Sequence, residues 1–148
     1  MIRVAVLGAG GLGKAAAKIL ALKREMRLTA MCDSKGFVIA PEGVDADAVI
    51  ASGTDLVAGY RQAASARREG GGVAVAEQVE LEHHADPLGA IIERADAYDA
   101  VFLALPNLPN DFIPTVIDRF AASRRSLAFS DVLKRTTAVE QLFTRDAA

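Results

Sequence analysis

Six residues near the start of the chain, Gly8-Ala9-Gly10-Gly11-Leu12-Gly13, satisfy the spacing G-x-G-x-x-G and carry the strongest chemical signal in the sequence. The chemistry is anion binding by main chain. Gly8 permits a tight turn, the missing side chain at Gly10 lets the backbone approach a pyrophosphate, and Gly13 lets the following helix lie close to the preceding strand. Free N–H groups of the first helical turn, from Gly11 and Leu12 onward, stand at the positive end of the helix dipole and complete the phosphate site. Asp33 follows Gly13 at the distance expected of the carboxylate that accepts hydrogen bonds from the adenosine ribose, which favours NAD over NADP. Ser34 and Lys35 come next and would accept a 2′-phosphate if Asp33 turned away. The plainer alternatives are a glycine turn without a ligand and an aspartate that caps a loop.

Other chemistry-bearing residues are weaker. Leu105-Pro106-Asn107 ends a strong apolar strand run, where Asn107 would orient a ribose or a carboxamide and Pro106 would stop the strand. His83 and His84 are adjacent and point in different directions, and no acid/base role is expected of them ahead of Lys134, the remaining catalytic candidate. Arg67-Arg68 and Arg124-Arg125 read as solvated surface. Glu77, Glu80 and Glu82 lack metal-ligand spacing, and no Cys/His pattern suggests zinc, so no metal is expected. Cys32 sits in an apolar run, as an inert small hydrophobe does.

The elements that must hold these residues follow from periodicity. Residues 2–8 form a nearly continuous apolar run, the pattern of a strand covered on both faces in a parallel sheet. Residues 12–23 have helical period, with Ala15, Ala16, Ile19, Leu20 and Leu22 expected to face inward and Lys14, Lys18 and Lys23 outward. Residues 27–33 are strand-like and close a βαβ unit. Gly36, Pro41 and Gly43 suggest a turn-rich excursion over 34–44. Helices are expected at 45–51 and 55–68, ended by Gly70-Gly71-Gly72, with a weak edge strand or connection at 73–81. Asp86-Pro87 reads as an N-cap followed by proline at the first helical position, opening a helix to 95. A strand at 99–105, a helix at 111–122, a short strand at 127–130 and a terminal helix from 131 complete the pattern. The fold class is α/β: a Rossmann-like, doubly wound, mostly parallel sheet in three α/β/α layers.

The chain has 148 residues, 51% hydrophobic and 24% charged, enough apolar side chain for one core and one domain spanning 1–148. The net charge of −2 and 5% aromatic content provide neither a basic field nor stacking platforms, so no nucleic-acid partner is expected. The N-terminal residues carry no basic region followed by a long apolar stretch, so no membrane association is expected. A single cysteine fits a reducing, cytoplasmic compartment.

Taken with the glycine turn, Met31-Cys32-Asp33-Ser34-Lys35-Gly36 followed by Pro41-Glu42-Gly43-Val44-Asp45 resembles the nucleotide-binding domain of homoserine dehydrogenases. Leu56-Val57-Ala58-Gly59-Tyr60 and the strand run ending at Pro106 are similar as well. The resemblance implies an NAD- or NADP-dependent oxidoreductase that moves a hydride to or from a small amino-acid-derived alcohol or aldehyde. That family has Asn-Lys where this chain reads Ser130-Asp131-Val132, and it carries its substrate pocket and main catalytic lysine in a second domain. Residues 131–148 would be the terminal helix or the start of such a domain, and a partner chain or homo-oligomer would otherwise provide it. The alternative is a module that binds the dinucleotide without catalysis.

Overall fold

A computed structural model of the chain describes residues 1–70, 78–106 and 112–123, and the backbone of a strand at 128–131. In β1(Ile2–Leu7) alternate side chains go to opposite faces, Val4 and Val6 to one core cluster and Ala5 and Leu7 to another. β2(Met26–Cys32) and β5(Ala100–Leu103) flank it in parallel, which is why these runs are apolar on both faces. Thr29 is the extra residue of a register shift in the β1–β2 pairing. Its buried hydroxyl donates to the Ala97 carbonyl at 2.7 Å, so the irregularity leaves no orphaned polar group.

Among the described residues six strands run in the order β4-β3-β2-β1-β5-β6, with β6(Ala128–Asp131) parallel to β5. β3(Gly36–Ile39) and β4(Glu80–His83) extend the sheet antiparallel to their neighbours. The switch in winding direction falls between β1 and β5, and there the carboxyl ends of the strands open a crevice.

On one face lie α1(Gly11–Ala21), α2(Ala46–Ala51) and α3(Leu56–Glu69), and on the other α4(Pro87–Glu93) and α5(Phe112–Ala122), giving α/β/α layers. Capping carboxylates start three of the helices. Asp45 accepts from Asp47 and Ala48 amides, Asp55 from Ala58, and Asp86 from Gly89. Asp86 also pairs with Arg119 at 2.6 Å, which ties α4 to α5. The Asp86-Pro87 start is therefore as expected, with Pro87 buried.

Three expectations are corrected. Residues 34–44 are not only turns, because Phe37, Val38 and Ile39 are buried in β3; the flanking glycines and proline masked a four-residue strand. Asp131 ends a strand rather than opening a helix. In α1 the sheet is met by Gly13 and Ala17, with Ala16 and Leu20 half-buried, whereas Leu12, Ile19 and Leu22 are 47%, 56% and 79% exposed. Glycine and alanine bring the helix so close to the sheet that this stripe excludes larger side chains, and Ile19 and Leu22 turn outward. The weak strand of 73–81 becomes β4, shifted toward the C-terminus, while 71–77 and the terminal-helix expectation over 132–148 lie outside the described residues.

Candidate functional site

Gly8 follows β1 with φ +107°, a conformation open to glycine at little cost, and its N–H donates to the Cys32 carbonyl at 2.9 Å. A Cβ there would overlap the Ala104 carbonyl beyond β5. A Cβ on Gly13 would overlap the Gly8 carbonyl. Both glycines are therefore required by the packing of strand, turn and helix. Gly10 and Gly11 differ, since a Cβ at either meets nothing within 4 Å. Gly10 is the N-cap of α1 in an ordinary extended conformation, φ −74° and ψ −167°, and no side chain caps the helix. The first-turn amides of Gly11, Leu12 and Gly13 are of the kind a helix leaves without internal acceptors. No acidic residue occupies that turn, so the positive end of the α1 dipole faces the crevice uncompensated.

Beside this turn, one strand spacing away, stands Asp33. Its Oδ1 accepts from the Lys35 and Gly36 amides at 2.8 and 2.9 Å, and its Oδ2 accepts from the Leu56 amide at 2.8 Å. The carboxylate thus shapes the β2–β3 turn and holds the start of α3. An ionised carboxylate has about four acceptor positions, and three are filled. Ser34 and Lys35 are exposed on the same turn, and neither side chain is hydrogen-bonded or ion-paired among the described residues. Lys35 lies close enough to Asp55 to favour that carboxylate's charged form.

On the far side of the crevice the chain leaves β5 through Ala104, Leu105 and Pro106. The Ala104 amide donates to the Leu7 carbonyl at 2.8 Å, and Leu105 packs partly buried against the core. Asn107 and Lys134 lie outside the described residues. His83 and His84 come at the end of β4, on the same edge of the sheet but three strands from β1, about 14 Å at the usual strand spacing. His83 Nε2 contacts Asp55 at 3.0 Å, the His84 amide donates to the Lys35 carbonyl, and the His84 ring faces Phe37 edge-on. They belong to the outer wall next to the Asp33 turn. Asp55 is held below the usual carboxylate range, first by the Ala58 amide and then by His83.

Cys32 is buried, and burial pushes its thiol up to about 12, so it is an inert core residue. Arg67 pairs with Asp45 and Asp47 and stays half exposed, as a surface residue does. Glu80 pairs with Arg94. Among the described residues no cluster could hold a metal ion, and no helix is long and apolar enough to cross a membrane. A separate depression of about 320 Å³, lined in part by Met1, Leu20, Met26 and Arg27, lies at the opposite edge of the strands, away from the glycine turn.

Sequence reasoning missed Lys14 and Leu56. Lys14 reaches from α1 to the Gly53 carbonyl at 2.7 Å, linking the first helix to the α2–α3 turn. The Leu56 amide, which engages Asp33, carries no side-chain signal; the capping residue Asp55 just before it was the only clue that a helix start lies there.

A sequence profile for the family described as glutamate/leucine/phenylalanine/valine dehydrogenase matches residues 1–87. The chain is also 30% identical over 156 aligned residues to (S)-8-amino-7-oxononanoate synthase BioU of Haloferax mediterranei, covering 98% of this chain and 44% of that protein. Among solved structures, homoserine dehydrogenase from Thermoplasma acidophilum superposes with a TM-score of 0.54 at 12% identity, covering 98% of this chain and 41% of that one. A glutamate dehydrogenase superposes with a TM-score of 0.50 at 16% identity, covering 97% and 29%. These likenesses establish the dehydrogenase nucleotide-binding fold, and the chain spans less than half the length of each protein.

Proposed function

This chain belongs to the glutamate/leucine/phenylalanine/valine dehydrogenase family as its NAD(P)-binding domain, and on that basis we propose that it serves hydride transfer to or from a small amino-bearing acid. The observation that carries the reading is the division among the glycines. Gly8 and Gly13 are demanded by packing, but Gly10 and Gly11 have open space and ordinary backbone angles, so no packing contact demands their bare main chain. A pyrophosphate does. Helix-interior glycine costs up to about 1 kcal/mol relative to alanine, and a chain that accepts this in the first turn of α1 keeps room for a ligand against its amides.

In this reading the Gly11, Leu12 and Gly13 amides bind the diphosphate, and the turn of Asp33, Ser34 and Lys35 borders the adenosine ribose. Leu105 and Pro106 form the far lip, and Asn107 orients a ribose or carboxamide there. The nicotinamide, when bound, supplies or takes the hydride. The chain's part is to fix the dinucleotide across the β1–β5 switch point and to shield one side from water. The described residues of the lip, Ala104, Leu105 and Pro106, transfer no proton, so the acid/base group comes from Lys134 or from a second domain or subunit that closes on this edge.

The substrate class is supported by what the matched names share. Glutamate, leucine, phenylalanine and valine are amino acids, and 8-amino-7-oxononanoate bears an amine beside a ketone. The likeness to homoserine dehydrogenase is one of fold and does not select homoserine. The test is titration of the protein with NADH and NADPH followed by nucleotide fluorescence. Saturable binding of at least one is expected, and a folded protein that binds neither at millimolar concentration refutes the reading.

A further inference from the structure

We propose that the depression at the opposite edge of the strands is a second binding site. It takes a small amphiphilic anion, with the aliphatic body on an apolar floor and a carboxylate or phosphate head at a basic rim. α1 runs 11 residues from the proposed diphosphate amides to this depression, roughly 16 Å at the usual helical rise. The two sites are therefore distinct and are tested independently.

At about 320 Å³ the depression falls at the small end of the roughly 300–1,000 Å³ typical of ligand pockets. Its floor comes from three parts of the fold: Ala17 and Leu20 of α1, Leu28 of β2, and Val44 of the turn before α2. Ala17, Leu28 and Val44 are buried and Leu20 is half-buried, so an aliphatic body laid on them leaves water. Backbone bonds hold the walls in place. The Val44 amide donates to the Leu28 carbonyl at 2.8 Å, and the connection from α1 to β2 is pinned by the Ile2 amide on the Glu25 carbonyl, also at 2.8 Å.

The rim carries one sign of charge. Lys23, Arg24 and Arg27 line the depression and no acid among the described residues does, although the chain as a whole has a net charge of −2. Lys23 and Arg24 are exposed, and neither side chain has a hydrogen-bond or ion-pair partner among the described residues. Arg27 meets Glu42 at 3.6 Å, too far for a hydrogen bond and too exposed to hold it against a better partner. The Arg27 stem lies along the turn at Gly43, where a Cβ would stand 3.5 Å from its Cδ, so the guanidinium is led to the wall that Val44 forms. The other acids nearby are engaged: Glu25 accepts from the Arg24 amide at 3.2 Å, and Asp45 and Asp47 pair with Arg67. The negative end of the α1 dipole brings roughly half a charge to this edge, which one cation answers. The remaining surplus suits an anionic head, to which guanidinium forks give charge-assisted hydrogen bonds.

The experiment is an amide NMR titration of the chain with octanoate and octyl phosphate. Octanol and octylamine serve as neutral and cationic counterparts, and acetate and inorganic phosphate as heads without a body. At least one octyl anion is expected to bind saturably at millimolar concentration or below, shifting the amides of Leu20, Lys23, Leu28 and Val44 and not those of Gly11 to Gly13. Octanol is expected to bind about tenfold or more weakly, the effect of one lost charge-assisted contact, and octylamine not at all. Arg27→Gln, and separately Lys23→Gln combined with Arg24→Gln, should lose about that factor for the anion and leave octanol and the melting midpoint unchanged. Octanol binding as tightly as the anions overturns the proposal, as does a bare head binding as tightly as its octyl counterpart. Shifts confined to the glycine turn, or no saturable binding of either anion by the folded chain, overturn it too, and all of these results leave the dinucleotide reading intact.

Discussion

Adding one methyl group at Gly10 or at Gly13 separates what the fold needs from what the ligand needs. At Gly10 the backbone angles suit any residue and a Cβ meets nothing within 4 Å. Gly10→Ala therefore changes stability only through the helix cap, by roughly 0.5–1 kcal/mol. For a chain of this size that lowers the melting midpoint by about 1–4 °C. At Gly13 the new Cβ would overlap the Gly8 carbonyl oxygen and stand 2.8 Å from its carbon. The obstacle is backbone, which cannot swing aside, so α1 must lift from β1. Overpacking of that kind costs about 1–3 kcal/mol and sometimes more, partly offset by alanine's helix propensity of up to about 1 kcal/mol. A net loss near 2 kcal/mol lowers the midpoint by roughly 4–8 °C. The binding effects are inverted in origin. In the proposed site Gly10→Ala would place its methyl where the diphosphate meets the amides, and loss of one hydrogen bond to a charged group is expected to weaken binding about tenfold or more. Thermal melts paired with NADH and NADPH titrations of Gly10→Ala, Gly10→Val and Gly13→Ala provide the measurement. Wild-type affinity in Gly10→Val, or a Gly13→Ala variant as stable as Gly10→Ala, would falsify the reasoning.

The Arg3 guanidinium and amide beside Asp99 lower that carboxyl to about 2. A depressed carboxylate pKa contributes stability above its unfolded value near 4 that is lost as pH falls toward 2. Because the pair is substantially exposed the contribution stays below about 1 kcal/mol, and Asp99→Asn should flatten acid denaturation in that window, as followed by circular dichroism. On α1, Leu22 and Ile19 are already 79% and 56% exposed, so Leu22→Gln and Ile19→Gln should change unfolding free energy by no more than about 0.5 kcal/mol. A loss near 2 kcal/mol in chemical denaturation would place these side chains in the core after all.

The glycine spacing, the βαβ start, the strand runs covered on both faces and the Asp86-Pro87 helix start were legible in the sequence. Each is set by residues within a few positions of one another, through turn sterics, capping and hydrophobic period. Which side of α1 faces the sheet was not, because a helix with alanine on several sides has no single apolar stripe. Contact with the sheet went to Gly13 and Ala17, the residues small enough for close approach. The antiparallel strand β3 also escaped, since Phe37, Val38 and Ile39 form too short a run to outweigh flanking turn residues, and β4 was legible only as a weak edge strand or connection placed too early in the chain.

The role of Asp33 depended most on the tertiary structure. Its distance from the glycine turn suggests a ribose ligand, but its Oδ2 is claimed by an amide 23 residues further on, at the start of α3. The Arg3–Asp99 pair spans 96 residues and the His83–Asp55 contact 28. Side-chain type and local spacing determine which groups are able to act at this site. Which acceptors remain free is decided only when the folded chain brings distant donors against them.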